Sequence, residues 1–270
     1  ADLEAANPRL LEAKKNRSRV EYYFTCSPTL PLYILQQHPE LDLITYLDAD
    51  LFFFADPKPL FDELAGHSVA ITAHRYAPLL RKRVRFGKYN VGWLSFRRDA
   101  NALACLEWWR DRCLEWCYDR LEADRYADQK YLDRWPELFQ GVHVLEHKGA
   151  NVGAWNIANY RVTARDGNVW MDEQPLIFFH FQGVKQLLPS VYDSALGISG
   201  VRASRVIRRA IFQPYLNTLQ RVTPPDAVKG SVRKAELRFG TITRAFRWTA
   251  KVIIGIIMGQ YLILYRNRVL

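Results

Sequence analysis

The sequence predicts an α/β fold with a mostly parallel sheet flanked by helices, and three observations predict it. Apolar runs of strand length recur along the chain, among them "LITYL", "SVAIT", "VGWLSF", "VHVL" and "LIFFHF". Helix-prone segments separate most of these runs, an alternation that implies helices layered on a covered sheet. With 270 residues, 49% of them hydrophobic, the chain is long enough for one large domain, or for one domain plus an appendage.

In order along the chain, residues 1–20 are polar and helix-prone. "SPTLPLYILQQHPEL" predicts a short helix with Ser27 as N-cap, Pro28 at its first position and Pro39 as its end. "DLITYLDAD" is a buried strand, a short apolar run bounded by polar residues. A helix starts after Pro57 and closes near Gly66. "SVAITAHR" is a second strand, "PLLRKRVRFGKY" a basic connection, and "NVGWLSFRRD" a third strand. A long helix follows from about Ala102 to Leu121. A helix near "ADQKYLDRWPELF", a strand at "VHVLEH" and a late strand at "PLIFFHFQG" complete the α/β part.

Charge divides the chain. Residues 202–270 hold 14 Lys and Arg against 2 Asp and Glu, whereas the whole chain carries +10, so residues 1–201 are close to neutral. This predicts a domain over 1–201 and a basic amphipathic helical tail over 202–270. It argues against a nucleic-acid binder and favours a tail that faces an anionic membrane surface. Within the tail, Val252–Tyr265 is nearly all apolar. At 14 residues it is shorter than the roughly 20 that span a bilayer, so an in-plane helix is expected. The alternative is a C-terminal helix packed on the domain or on a second subunit. Cys26, Cys105, Cys113 and Cys117 read as buried free thiols of a reducing compartment, because no further ligand lies near Cys113 and Cys117 to complete a zinc site.

Ligands of parallel sheets bind outside the carboxyl ends of the strands. Asp48 and Asp50 stand at such an end, one small residue apart. Two carboxylates there suit a hard divalent cation with substrate phosphates as further ligands; the alternative is that Asp48 caps a loop. His180 ends an apolar strand and either offers a neutral imidazole to a metal or is a satisfied core histidine. Asn90 and Gly92 offer an amide and open backbone to sugar hydroxyls, or form a turn entering a strand. Unlike the aspartates, they precede their apolar run. Asp128 and Gln129 open a helical segment, as site residues or as an acidic first turn. Trp155 and Asn156, with Asn151, suit a sugar acceptor, or Trp155 is core. Gly183 lets backbone amides approach a diphosphate and Lys185 adds charge there. Arg81, Lys82, Arg83, Arg85 and Lys88 form a solvated loop, or a lid that attracts a diphosphate or an anionic acceptor.

"TYLDADLFFFADPKPLF" resembles the metal-binding segment of nucleotide-sugar glycosyltransferases of the GT-A fold, and is most similar to the bacterial, family-eight-like retaining branch. "YNVGWLSF" resembles that family's Asn-x-Gly segment, "ADQKYLD" its Asp-Gln segment and "FFHFQGVK" its His-x-x-Gly segment with a following lysine. Order and spacing over roughly residues 22–185 carry the resemblance. It implies a GT-A (Rossmann-like) fold and Mn2+ or Mg2+ held by Asp48, Asp50 and His180. It places Asn90, Gly92, Gly183 and Lys185 on the donor, and Asp128 and Gln129 near the anomeric carbon. It also implies retention of configuration. Lys185 sits one residue earlier than in the family pattern. The family's base-binding strand and helix have no counterpart in the 47 residues before Asp48, so part of the nucleotide-binding half is expected upstream or lost.

The expected function is therefore metal-dependent transfer of a sugar from a nucleotide-sugar donor to a glycan or lipid-linked acceptor. The expected setting is polysaccharide biosynthesis in the cytoplasm, peripheral on the inner face of the cell membrane. Two other readings use the same residues: a nucleotidyl or phosphoryl transferase holding magnesium on the carboxylates, and a catalytically inactive membrane-associated scaffold. The absence of a Gly-x-x-x-x-Gly-Lys-Ser/Thr loop disfavours the P-loop form of the first.

Overall fold

A capping box opens the first long helix. The Ser18 side chain accepts from the Glu21 N–H, and the Glu21 carboxylate accepts in return from the Ser18 N–H. In the computed structural model, which describes residues 2–222, 255, 259–265 and 268–269, two short helices come first, α1 (Asp2–Ala6) and α2 (Pro8–Asn16). The helix set by Ser18 is α3 (Arg19–Gln37), so Ser27 is not an N-cap; Pro28 and Pro31 lie inside the helix. Hydroxyls of Thr25, Ser27 and Thr29 donate to the carbonyls four residues back. They occupy acceptors in the stretch that the prolines disturb.

The described residues divide into two compact units. The first comprises the chain up to Leu51, Asp56–Tyr76 and Arg81–Asn151; the second comprises Phe52–Ala55, Ala77–Leu80 and the chain from Val152. The division does not fall at residue 201.

In the first unit, β1 (Leu43–Leu47) is the first strand; β2 (Leu51–Phe53) passes into the second unit. Then follow α4 (Lys58–Glu63), β3 (Val69–Ala73), β4 (Tyr89–Arg97), α5 (Ala100–Glu115), α6 (Trp135–Leu138) and β5 (Val142–Leu145). The sheet order is β1-β4-β3-β5. β4 runs antiparallel to both neighbours and only β3 and β5 are parallel, so the sheet is mixed rather than mostly parallel. A nine-residue 3₁₀ turn, Pro78–Phe86, joins β3 to β4. With three arginines and a lysine among its nine residues, it is too polar for the covered helical crossover that a parallel return usually takes. The predicted helix to Leu121 ends at Glu115, and a 3₁₀ turn (Lys130–Arg134) plus the four-residue α6 replace the helix expected near Ala127–Phe139. Trp109 packs against Trp135, ring centroids 5.4 Å apart, and both pack on Phe96 under the sheet. The cysteines are free thiols, with Cys105, Cys113 and Cys117 buried.

The second unit holds three small sheets built from β6 (Val152–Gly153), β7 (Val162–Arg165), β8 (Asn168–Met171), β9 (Gln174–Pro175), β10 (Phe178–His180), β11 (Lys185–Leu188), β12 (Val191–Asp193), β13 (Tyr261–Tyr265) and β14 (Arg268–Val269). Their orders are β2-β10-β6, β7-β8-β9 and β11-β12-β13-β14. A π-helical turn (Ile207–Phe212) leads directly into α7 (Gln213–Val222). The tail is thus helical over residues 205–222, but Tyr261–Tyr265 is a strand paired with β12, not the end of an in-plane helix. Leu262 and Leu264 drive this, because alternate residues of the strand bury into the core that holds Phe179, Phe181 and Phe212. The remainder of the expected amphipathic helix lies outside the described residues. Among the described residues no helix is long and apolar enough to cross a membrane.

Candidate functional site

At the edge where β1 ends, the antiparallel β4 begins. Leu47 pairs with Trp93, and the Asp48 N–H donates to the Gly92 carbonyl at 3.1 Å. Against β3, the β4 register jumps from Ile71–Leu94 to Thr72–Asn90, a bulge that lifts residues 91–93 out of the ladder. The Asn90 side chain fills the gap. Its Oδ1 accepts from the Gly92 N–H at 2.9 Å, and its Nδ2 lies 3.2 Å from His74 Nε2. Asn90 is buried, and these contacts tie it to its own strand and to His74 just past β3. It holds the N–H of Gly92, the residue whose carbonyl receives the Asp48 backbone.

Asp48 and Asp50 are half-buried. The Tyr46 hydroxyl donates to Asp48 Oδ1 at 3.0 Å and lies 3.4 Å from Ser27 Oγ. Tyr46 and Asp48 are two apart on a strand and therefore share a face. Burial, and then the Asp48 charge, push the Tyr46 phenol well above its ordinary value. Asp128, only 5% exposed, feels the same carboxylate: burial and the negative charge of Asp48 raise its pKa to about 7, against a hydrogen bond from Ser27 that lowers it. Its backbone is held by Trp109, whose Nε1 donates to the Asp128 carbonyl at 2.8 Å. Ala127, just before it, takes a left-handed φ of +46°. Asp128 is thus brought into the field of Asp48. Gln129 turns elsewhere, donating to the Phe86 carbonyl at 2.9 Å at the end of the basic turn. Arg81, Lys82, Arg83, Arg85 and Lys88 are exposed.

Sequence reasoning did not place Tyr46 or Ser27 at the site, reading Ser27 as a helix cap. The i, i+2 spacing of Tyr46 and Asp48 was the available signal for the first. Ser27 carried none, because its position in α3 depends on the cap at Ser18.

In the second unit, His180 ends β10 and is 1% exposed. It pairs in parallel register with Gly153 of β6, and its ring meets Trp155 edge-on at 5.2 Å. A Cβ at Gly153 would lie 2.6 Å from the Trp155 ring, so only glycine admits this stacking. Asn156 Oδ1 accepts from the Gly153 N–H at 2.9 Å and closes the turn that carries Trp155. Trp155 and Asn156 are both buried and build the wall beside His180. Gly183 takes φ +85° in a turn closed by the Val184 N–H on the Phe181 carbonyl. Lys185 follows, exposed, as the first residue of β11. Beside β10 runs β2, and the Phe54 N–H donates to the Ile177 carbonyl at 2.8 Å. With Phe53 against Phe178 and Phe52 against Phe181, the start of β2 runs toward the His180 end of β10. Asp50 immediately precedes β2 in the chain.

No family profile matches the chain. It is 39% identical over 221 residues to the uncharacterized protein YfnD of Bacillus subtilis (strain 168), an alignment that covers 81% of this chain and 70% of YfnD. It is 36% identical over 187 residues to the uncharacterized protein YfnF of the same organism, covering 66% of this chain and 62% of YfnF.

Proposed function

For this chain, which belongs to the family of YfnD, we propose metal-dependent transfer of a sugar from a nucleotide-sugar donor to a glycan or lipid-linked acceptor, with retention of configuration, on a fold of the GT-A kind. One observation carries the reading: the half-buried Asp48 and Asp50 follow the first strand, and burial first and the Asp48 charge second raise the pKa of a third carboxyl, Asp128, to about 7. That much negative charge at one strand end is costly unless a cation offsets it.

Asp48, Asp50 and His180 are the ligands in this proposal. Two carboxylates and an imidazole fit Mn2+ or Mg2+, with open positions for phosphate oxygens. When bound, such an ion supplies Lewis-acid compensation of the charge that grows on the departing nucleoside diphosphate. The chain's own groups do the rest. Tyr46 orients Asp48 through its hydroxyl. The Asn90–Gly92 relay fixes the Asp48 peptide. Trp155 holds the His180 ring edge-on. Asp128, anchored by Trp109, faces the sugar end of the donor as a carboxyl able to hold or release a proton near neutrality. The basic excess of residues 202–270 favours a peripheral position on the anionic inner face of the cell membrane.

The test is a thermal-shift screen of sugar nucleotides with and without manganese, followed by donor hydrolysis. A metal-dependent shift with one donor, and hydrolysis lost in Asp50→Ala, are expected. Turnover of nucleoside triphosphates in place of sugar nucleotides, or no response to any donor in a folded protein, overturns the proposal.

A further inference from the structure

The second unit contains a groove of about 600 Å3 that no step above uses. One wall is a single flank of the helix that runs from the π-helical turn into α7. Arg209, Gln213, Asn217 and Arg221 recur every fourth residue and all line the groove. The opposite flank, with Ile207, Ile211 and Leu216, is buried in the core. The helix is therefore fixed in rotation, and its polar stripe is a settled surface. Facing that stripe are Phe53, 37% exposed, and the β7–β8 hairpin with Asn168.

The chemistry of the stripe is specific. Arginines stand at its two ends, twelve residues apart and so roughly 18 Å along the helix backbone at about 1.5 Å per residue, and both are exposed. Two half-buried carboxamides lie between them. Gln213 is oriented in advance, because its Oε1 accepts the Val269 N–H at 3.2 Å. The Arg221 guanidinium is held near the groove by the Asn217 carbonyl and the Thr218 hydroxyl, each at 3.3 Å. No Asp or Glu is among the lining residues. Carboxamides exchange paired hydrogen bonds with neighbouring hydroxyls, a phenyl face packs on the apolar face of a sugar ring, and guanidinium groups bind carboxylate or phosphate in a two-pronged fashion. A groove of this volume is within the range of ligand sites.

We propose that this groove binds an extended anionic glycan, one bearing carboxylate or phosphate groups along a polyhydroxylated chain, as the acceptor. The inference rests on the proposed sugar transfer for the word acceptor, but the binding itself does not.

The experiment uses the full chain and isothermal titration at low salt with three probes: tetragalacturonate, a glycerol-phosphate tetramer, and uncharged maltotetraose. At least one anionic oligomer is expected to bind at least tenfold more tightly than maltotetraose. Its affinity should fall about tenfold for Arg209→Ala, about tenfold for Arg221→Ala and beyond detection for the double Arg209→Glu/Arg221→Glu variant, with the melting temperature of each variant unchanged. Asn217→Ala should weaken binding of the same oligomer without altering its salt dependence. Binding unaffected by the double variant, equal binding of the neutral oligomer, no binding of either anion, or capture of phosphatidylglycerol vesicles without either oligomer overturns the proposal. Manganese-dependent donor shifts in the double variant report on the transfer reading separately: their presence alongside lost oligomer binding separates acceptor from donor. Oligomer binding by a chain that answers no sugar nucleotide upholds the groove while the transfer reading fails.

Discussion

Replacing Asp128 by asparagine removes a titration and almost nothing else. The carboxyl is 5% exposed and its folded pKa is about 7, raised first by burial and then by the Asp48 charge. Unfolded, it titrates near 3.9. Between those values the folded state keeps a proton that the unfolded state has released. Its contribution to stability is therefore whole below about pH 4, and is lost as pH rises through about 7. Three units of difference correspond to on the order of 4 kcal/mol. The asparagine variant keeps the shape without this loss. In urea unfolding it should match the parent near pH 4.5 and exceed it by a few kcal/mol at pH 8. Asp48→Asn should remove the smaller part of the effect, lowering the pKa of Asp128 while burial still holds it up. An equal offset between Asp128→Asn and the parent at both pH values would refute the reasoning.

Other perturbations follow from the same geometry. Asn90→Ala leaves the buried Gly92 N–H unpaired and should cost about 1–3 kcal/mol in chemical denaturation, together with weaker manganese binding by calorimetry as the Asp48 peptide loosens. Gly153→Ala drives a Cβ to 2.6 Å from the Trp155 ring and should destabilise by more than Asn156→Ala, which removes the acceptor of the Gly153 N–H; their unfolding midpoints compare them directly. Trp109→Ala opens the core under Asp128 and should cost roughly 3–5 kcal/mol, read as a lowered midpoint in urea. Ser18→Ala removes the cap of α3 and should cost about 1 kcal/mol by thermal melting.

Strands with enough apolar residues to be buried were legible: β1, β3, β5 and β10 fall within runs read as strands, and β4 begins one residue before its run. Helix boundaries were less so, because they turn on capping rather than on apolar pattern. Ser27-Pro28 looks like a start, yet the Ser18–Glu21 box begins the helix upstream, and Pro28 and Pro31 lie inside it. "YLILY" was misread for a different reason. A five-residue apolar run has no period long enough to separate strand from helix, and only the pairing of Tyr261–Tyr265 with Val191–Asp193 decides it.

The direction of β4 decides how the pieces of the candidate site relate. With all strands parallel, the aspartates after β1 and the asparagine before β4 would fall at opposite edges of the sheet, and the Asn-x-Gly segment would have no part in the site. The run Pro78–Phe86 already argued against that arrangement. Leu79 and Val84 are 71% and 50% exposed and Leu80 is its one buried residue, so the segment lacks the broad apolar stripe of a crossover helix. β4 returns beside β3 antiparallel, and the same reversal brings its beginning to the end of β1. Asn90 then reaches Gly92, and Gly92 receives Asp48. Two motifs more than 40 positions apart in sequence meet because a connection is too polar to be buried.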